Sequence, residues 1–382
     1  MVCVFGITTG EFVIAGILPD VADGLHVSIP AAGLLVTAYA IGMIVGGPTL
    51  TALTARYPRK RLILILLLVA VAGNVASALA PVYGVLFAAR IITALVTSTF
   101  FANAIVIATS TAPPDKQAST VSKLVLGMNL SMILGAPLGT FVGNSFGWRA
   151  TFAAIAVTCA VGLLMVMRFV TAVANDTTTS ALTELRVFRI PAVQLAILVT
   201  AVGNAGLLIV FTYFAPLLVD VTGFTATAVP FLLLVYGVGA TVGNLLGGWL
   251  SDRALMPSQI GLLVALTAGL GVMWLVSANI VGTAIMVFVV GALGFSVVPG
   301  MQARVLKTAS QAPTLAIAVN ASAYQLAAAF AAWLGGRVID GGLGLRAIYV
   351  VAAGVTVVGI LVSLFAWYRD RRGVTAQNVP VG

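Results

Sequence analysis

Apolar runs long enough to cross a bilayer alternate with short polar turns along the whole chain. A hydrocarbon core of about 30 Å calls for about 20 apolar residues per helix. On that measure the sequence predicts helices over residues 2–19, 29–54, 61–81, 83–110, 118–143 and 149–171. A polar stretch from Asn175 to Arg189 follows, and six more helices are predicted over 190–217, 225–250, 257–277, 280–304, 314–338 and 346–368. The breaks carry turn chemistry, as in Ala112-Pro113-Pro114-Asp115 and Gly341-Gly342-Leu343-Gly344. The first run has no basic leader and contains Glu11, so no cleavable signal peptide is expected.

The pattern repeats at a constant shift of 197 residues. Gly6 pairs with Gly203, Pro19 with Pro216, Tyr39 with Tyr236, Gly42 and Gly46 with Gly239 and Gly243. Leu53-x-x-Arg56 pairs with Leu250-x-x-Arg253, Gly139 with Gly336, and Arg149-Ala150 with Arg346-Ala347. Glycine matches are cheap in so apolar a chain, but matches of scarce proline, tyrosine and arginine are not. The expected fold class is therefore an all-α membrane protein, with twelve transmembrane helices in two pseudo-symmetric six-helix bundles. The expected layout is a bundle over 1–172, a cytoplasmic linker over 173–189, a bundle over 190–368 and a cytoplasmic tail over 369–382. Duplicated halves of this kind are a transporter architecture, with the cargo site between them near the midplane.

Composition agrees with lipid exposure: 61% of the residues are hydrophobic, 8% are charged, and the mean hydropathy is +1.15. A soluble chain would carry roughly a quarter charged residues. The net charge of +9 could suggest nucleic acid, but the basic residues are sorted by side. On the side of the termini the predicted topology puts Arg56, Arg59, Lys60, Arg61, Lys116, Lys123, Arg168, Arg186, Arg189, Arg253, Arg304, Lys307, Arg369, Arg371 and Arg372; the other side receives Arg149, Arg337 and Arg346. Basic residues mark the cytoplasmic face, so both termini are expected inside and no nucleic-acid partner is needed. Lys123 lies close enough to a helix end to snorkel to the interface. Cys3 and Cys159 sit in separate apolar runs and read as packing residues. A lone His26 builds no metal site, and no metal or cofactor is expected.

Three local strings carry a family resemblance. Gly248-Trp249-Leu250-Ser251-Asp252-Arg253 matches a Gly-x-Leu-x-Asp-Arg signature. Its first-half equivalent keeps the basic cluster Arg56, Arg59, Lys60 and Arg61 but has Ala55 in place of the acid. Gly135-Ala136-Pro137-Leu138-Gly139 with Gly143 looks like an antiporter motif, in which small residues and a proline shape a hinge-like contact between the halves. On these strings the chain resembles the major facilitator superfamily along essentially its whole length, and within it the twelve-span drug:proton antiporters. Thr9-Gly10-Glu11-Phe12-Val13, Ala31 to Ala40, and Ala332-Trp333-Leu334-Gly335-Gly336 resemble the sugar-efflux and chloramphenicol-resistance branch. The resemblance implies a cytoplasmic latch formed by Arg56, Arg59, Lys60, Asp252 and Arg253, an antiporter-motif helix with Gly135, Pro137 and Gly139, and lead-in residues missing ahead of the first helix.

Nine of the ten acids fall in loops, tails or helix ends, and Glu11 sits inside an apolar run. Arg90 is read as the single base deep in the membrane, and it matches the family's arginine in Leu86-x-x-x-Arg90-x-x-Thr93-Ala94, where Gln and Gly are more usual at the last two positions. At 1.5 Å per residue Glu11 lies roughly 13 Å and Arg90 roughly 10 Å from the same side, so a direct or water-bridged pair is feasible. Intramembrane charges are costly and mark function by default. A carboxyl balanced between burial and a nearby arginine can load and release a proton. Glu11 and Arg90 are the expected proton-coupling pair. Tyr39, Asn129, Asn204, Tyr213, Tyr236, Asn320 and Tyr324 are the candidate cavity residues; each could equally serve interhelical hydrogen bonding. With no other charge in the pocket, the expected cargo is neutral or weakly charged.

The function read from the sequence is secondary export of small molecules, drugs such as chloramphenicol or sugars and metabolites, by proton antiport in a bacterial cytoplasmic membrane. The partners are cargo, protons and the bilayer, and the chain is expected to be a monomer. A proton-coupled importer or a uniporter is the alternative, and a non-transporting sensor the remotest. No paired acids, metal cluster, activated nucleophile or nucleotide-binding motif is present, so an enzyme is not expected.

Overall fold

The computed structural model describes residues 1–54, 57–111, 124, 127–170, 191–308 and 313–377. The predicted linker and most of the predicted approach to the fifth helix, including Lys116 and Lys123, lie outside them. So do Ala55 and Arg56.

The described residues form helices throughout: α1 Val2–Phe12, α2 Ile14–Leu25, α3 Ile29–Thr54, α4 Arg59–Ala78, α5 Tyr83–Thr111, α6 Ala136–Phe146 and α7 Trp148–Phe169. After the linker come α8 Pro191–Thr212, α9 Val229–Arg253, α10 Leu255–Val276, α11 Ile280–Thr308, α12 Pro313–Asp340 and α13 Ala347–Gln377. Nine of them are long and apolar enough to cross a membrane, and the bent pair α1–α2 makes a tenth among the described residues. The protein is thus an all-α polytopic membrane protein. The helix over the predicted tail is one difference from expectation: α13 runs on to Gln377, well past residue 368.

The first predicted helix is broken. α1 and α2 meet at Val13 with a bend of 54°. In an unbroken helix the Gly10 carbonyl would accept the Ile14 amide; here the Arg90 Nη1 donates to it. The Gly16 amide turns back to the Val13 carbonyl at 3.0 Å, one residue short of an α-turn, and Pro19 has no amide to give. Insertion of a side chain into the ladder is a recognised cause of a kink.

Proline also explains the next irregularity. Pro137 cannot donate to the Ile133 carbonyl, and the backbone widens to a π-turn over Ser131–Gly135, with the Ala136 amide bonded to the Ser131 carbonyl. In the second half, α8 breaks at Tyr213, followed by the turn Phe214–Pro216 and a π-turn over Leu217–Thr222.

The sequence repeat recurs as repeated packing. α3 packs on α5 as α9 packs on α11, α4 on α7 as α10 on α13, and α1 on α7 as α8 on α13. At the first of these crossings a Cβ on Gly42 would meet the Ile91 carbonyl oxygen at 2.7 Å, and one on Gly46 the Leu95 oxygen at 2.3 Å. The equivalent positions repeat the contact: Gly239 against the Phe288 oxygen at 2.4 Å, and Gly243 against the Ala292 oxygen at 1.8 Å. Gly147 and Gly344 both hold positive φ, at 87° and 78°, where a side chain would be strained. Two residues later, Arg149 Nη2 donates to the Ala80 carbonyl at 2.9 Å and Arg346 Nη2 to the Trp274 carbonyl at 3.0 Å.

The two halves touch along α3 and α12 above all, and also through α6 and α9. Thr37 Oγ1 donates to the Ala329 carbonyl at 3.2 Å, Asn144 Nδ2 to the Ala226 carbonyl at 2.6 Å, and Gly336 lies against Pro30.

Candidate functional site

Glu11 stands in the last turn of α1, two residues before the break at Val13, with its carboxylate at the seam between the halves. It lines a cavity with Phe12, Tyr39 and Arg90 from the first half and Phe211, Tyr324 and Gln325 from the second. The cavity is small, about 30 Å³, room for about two water molecules and far below a drug-sized pocket.

Of the two arrangements expected for Glu11 and Arg90, direct or water-bridged, the direct ion pair is not formed. Glu11 Oε1 accepts a hydrogen bond from Gln325 Nε2 at 2.7 Å, across the interface. Arg90, 2% exposed, donates to the Gly10 carbonyl and lies with its guanidinium carbon 4.2 Å from the centre of the Tyr39 ring. Its Nε and Nη2 are buried with no partner. Both charges thus share one cavity wall, but the acid reaches across the seam while the arginine holds its own half. The physical reason is the break: a carbonyl freed by the bend takes the guanidinium.

The cavity candidates divide. Tyr39 and Tyr324 line it; the Tyr39 hydroxyl also lies 3.0 Å from Thr97 Oγ1. Asn129 is exposed and off the cavity wall. Asn204 is buried and donates to the Thr200 carbonyl at 2.8 Å and to Met301 Sδ. Asn320 accepts from Thr200 Oγ1 at 2.7 Å, and Tyr213 donates to the Ala332 carbonyl at 2.7 Å. Asn204 and Asn320 make these contacts inside the second half, while the Tyr213 ring also lies against Gly33 of the first. Tyr236 stacks on Phe211, ring centres 5.3 Å apart, and lines a second, apolar pocket with Val287, Met273 and Tyr349. That pocket is the counterpart of the first in two of its walls: Tyr236 and Val287 stand 197 residues after Tyr39 and Arg90, while Leu208, the equivalent of Glu11, lines the first cavity.

The antiporter-motif glycines face inward to their own half. Added Cβ atoms on Gly135, Gly139 and Gly143 would meet Thr9, Val13 and Ile17 side chains. Ile133, within the π-turn ahead of Pro137, adds a contact with the second half, where it lies against Gly237. The glycines thus seat α6 on the broken first helix, while the same helix and the π-turn before it touch α9 of the other half.

At the expected latch, Arg59 Nη1 donates to Asn103 Oδ1 at 3.2 Å and Lys60 Nζ to the Met167 carbonyl at 3.4 Å. With Ala55 in place of an acid, these bases take neutral acceptors. Asp252 is exposed, and Arg253 stacks on Trp249 at 3.6 Å. Arg304, read from sequence as the last residue of a helix on the side of the termini, is 2% exposed within α11, a second buried base in addition to Arg90. It pairs with Asp370 at 3.0 Å, the one ion pair among the described residues. Gln325 was also missed. Its signal was positional: it follows Tyr324 in a helix otherwise rich in alanine.

Comparison with known proteins came out as follows. Residues 1–314 match the sequence profile described as Major Facilitator Superfamily. The Escherichia coli K12 protein named "Inner membrane transport protein YdhP" is 37% identical over 374 residues, covering 98% of this chain and 96% of that one. A Streptomyces lividans "Chloramphenicol resistance protein" is 36% identical over 338 residues, covering 86% and 84%. Among solved structures, a D-xylose-proton symporter superposes with a TM-score of 0.76 at 18% identity, covering 96% of this chain and 95% of that one, a likeness of fold alone.

Proposed function

The chain belongs to the Major Facilitator Superfamily and is a secondary transporter of small molecules, not an enzyme; from that premise we propose that it exports its cargo in exchange for protons, with Glu11 as the proton carrier. The observation that carries the reading is the placing of Glu11: one carboxylate inside the apolar spans, at the seam of the two halves, on the wall of the cavity it shares with Arg90. A carboxylate there is exposed to one side or the other as the halves rock, and each exposure lets it take up or give off a proton.

In this reading the chain forms twelve spans in two six-helix bundles, with both termini cytoplasmic, in a bacterial inner membrane, and works as a monomer. The repeated glycine crossings and the sorting of basic residues support it. Arg90 holds the bend of the first span and tunes the carboxylate through their common cavity. The aromatic walls, Phe12, Tyr39, Phe211 and Tyr324, favour a neutral or weakly charged, partly apolar cargo. Chloramphenicol-like drugs and sugars are the first cargoes to test, because relatives that share much of this sequence are named for them.

The test uses everted vesicles acidified inside by respiration, with chloramphenicol, sugars and nucleosides as probes. Addition of a cargo should release the proton gradient, and Glu11→Gln should abolish that release while leaving the protein folded and inserted. Undiminished proton-linked export by Glu11→Gln would sink the role of Glu11. Cargo movement that leaves the gradient untouched would make the protein a uniporter.

A further inference from the structure

We infer that Gln325 is the residue through which the second half senses the state of Glu11, and that the idle donors of Arg90 are the alternate partner of the same carboxylate. The inference rests on the proton-exchange reading above and adds a residue and a partner exchange to it.

Three observations carry it. First, the hydrogen bond from Gln325 Nε2 to Glu11 Oε1, 2.7 Å long, joins the halves at the cavity. It lies on the α3–α12 seam, where Thr37 meets the Ala329 carbonyl and Pro30 meets Gly336, so one face of α12 makes all three contacts. Second, Gln325 is 6% exposed and commits its side-chain amide nitrogen to the Glu11 carboxylate. A buried amide is costly unless hydrogen-bonded, and its contact with a carboxylate is the strong, charge-assisted kind. Third, Arg90 keeps Nε and Nη2 buried and unpartnered beside the same cavity. Such donors call for an acceptor.

The geometry gives a two-position switch. While the α3–α12 seam is closed, the carboxylate is held by Gln325. When the seam parts, Gln325 leaves with the second half, and the carboxylate turns to Arg90 Nε and Nη2, which stay with the first. Protonation leaves Gln325 only a neutral carbonyl oxygen to donate to and turns the charge-assisted cross-half bond into a weaker one, so loading a proton loosens the closed seam. The other groups facing Glu11 are Tyr39 from α3, Tyr324 from α12 and Arg90 from α5.

The experiment needs no cargo. Protein with Cys3 and Cys159 replaced by alanine is spin-labelled at Ser28 and Leu343, exposed positions of the two halves at one end, and placed in lipid nanodiscs. The distance between labels is measured against pH, together with the infrared carboxyl band that disappears in Glu11→Gln. In the parent, distance and band should change at one common pH. Gln325→Met keeps the volume but removes the donor; the transition should move up by about one pH unit, the tenfold effect expected of a lost hydrogen bond to a charge. Gln325→Glu, a second variant should the first not fold, should also move it upward and add a second carboxyl band. If Glu11→Gln removes the pH response but both Gln325 variants keep the parent transition, the inference is overturned and the proton reading stands. If Glu11→Gln leaves the response of the parent unchanged, the proton reading itself fails.

Discussion

A Cβ on Gly243 would sit 1.8 Å from the Ala292 carbonyl oxygen and 2.5 Å from its carbon, and backbone cannot step aside as a side chain can. Gly243→Ala should therefore force α9 and α11 apart and lower stability by about 1–3 kcal/mol, the range for overpacking. Gly248, the glycine of the Gly-x-Leu-x-Asp-Arg string, has nothing within 4 Å of the same position. Gly248→Ala should stay within about 0.5 kcal/mol. Thermal unfolding in detergent checks both. The contrast shows what a motif leaves out: the glycine that packs is Gly247, whose Cβ would meet the Ser296 oxygen at 1.9 Å. A string of letters cannot say which of two adjacent glycines points to a neighbour, because that depends on helix rotation.

At the scale of elements, most helix limits were legible, since a bilayer core imposes its own length on an apolar run. α3 spans 29–54 as read, and α5 ends one residue beyond the expected 110. The breaks were not legible in the first span. Pro19 was visible, but the bend falls six residues earlier, at Val13, because a side chain from α5 captures the Gly10 carbonyl. That is a tertiary event with no local signal. The same limit hid Gln325, whose partner is 314 residues away, and the tenth predicted helix stopped at Arg304 when α11 continues to Thr308. The Arg304–Asp370 pair fastens α11 to α13. Asp370 is 43% exposed, so its removal should cost less than a fully buried pair would, about 1–2 kcal/mol for Asp370→Asn. Arg304→Met combined with Asp370→Asn should recover much of that loss in the same unfolding assay, since the uncompensated buried charge is gone.

For the whole molecule, the informative contacts are those between the halves. Beyond the end of α8, Asp220 lies near Asp23 of α2, one acid from each half. Partial burial first, and then the Asp23 carboxylate, hold the Asp220 carboxyl above the ordinary carboxylate range. A raised value in the folded state means that the folded chain binds this proton more tightly than the unfolded one. The resulting stability is full below the unfolded value and is lost as pH rises through the folded value. At neutral pH the ionised acid is then a net cost. Asp220→Asn should raise the unfolding temperature at pH 7 and leave it unchanged near pH 3; equal effects at both would remove the electrostatic explanation.

The second half repeats the packing of the first but carries Leu208 and Val287 where the first has Glu11 and Arg90. Its pocket around Tyr236 is apolar and dry in character. On the proposed exchange, the first half carries the electrical role and the second only a mechanical one. Under the proposed exchange a neutral cargo leaving against one proton carries one charge through the bilayer in each cycle. Voltage would then power the pump as well as acidity, at about 2.3 kcal/mol per charge for every 100 mV, and a cell with no pH difference across its membrane could still drive it.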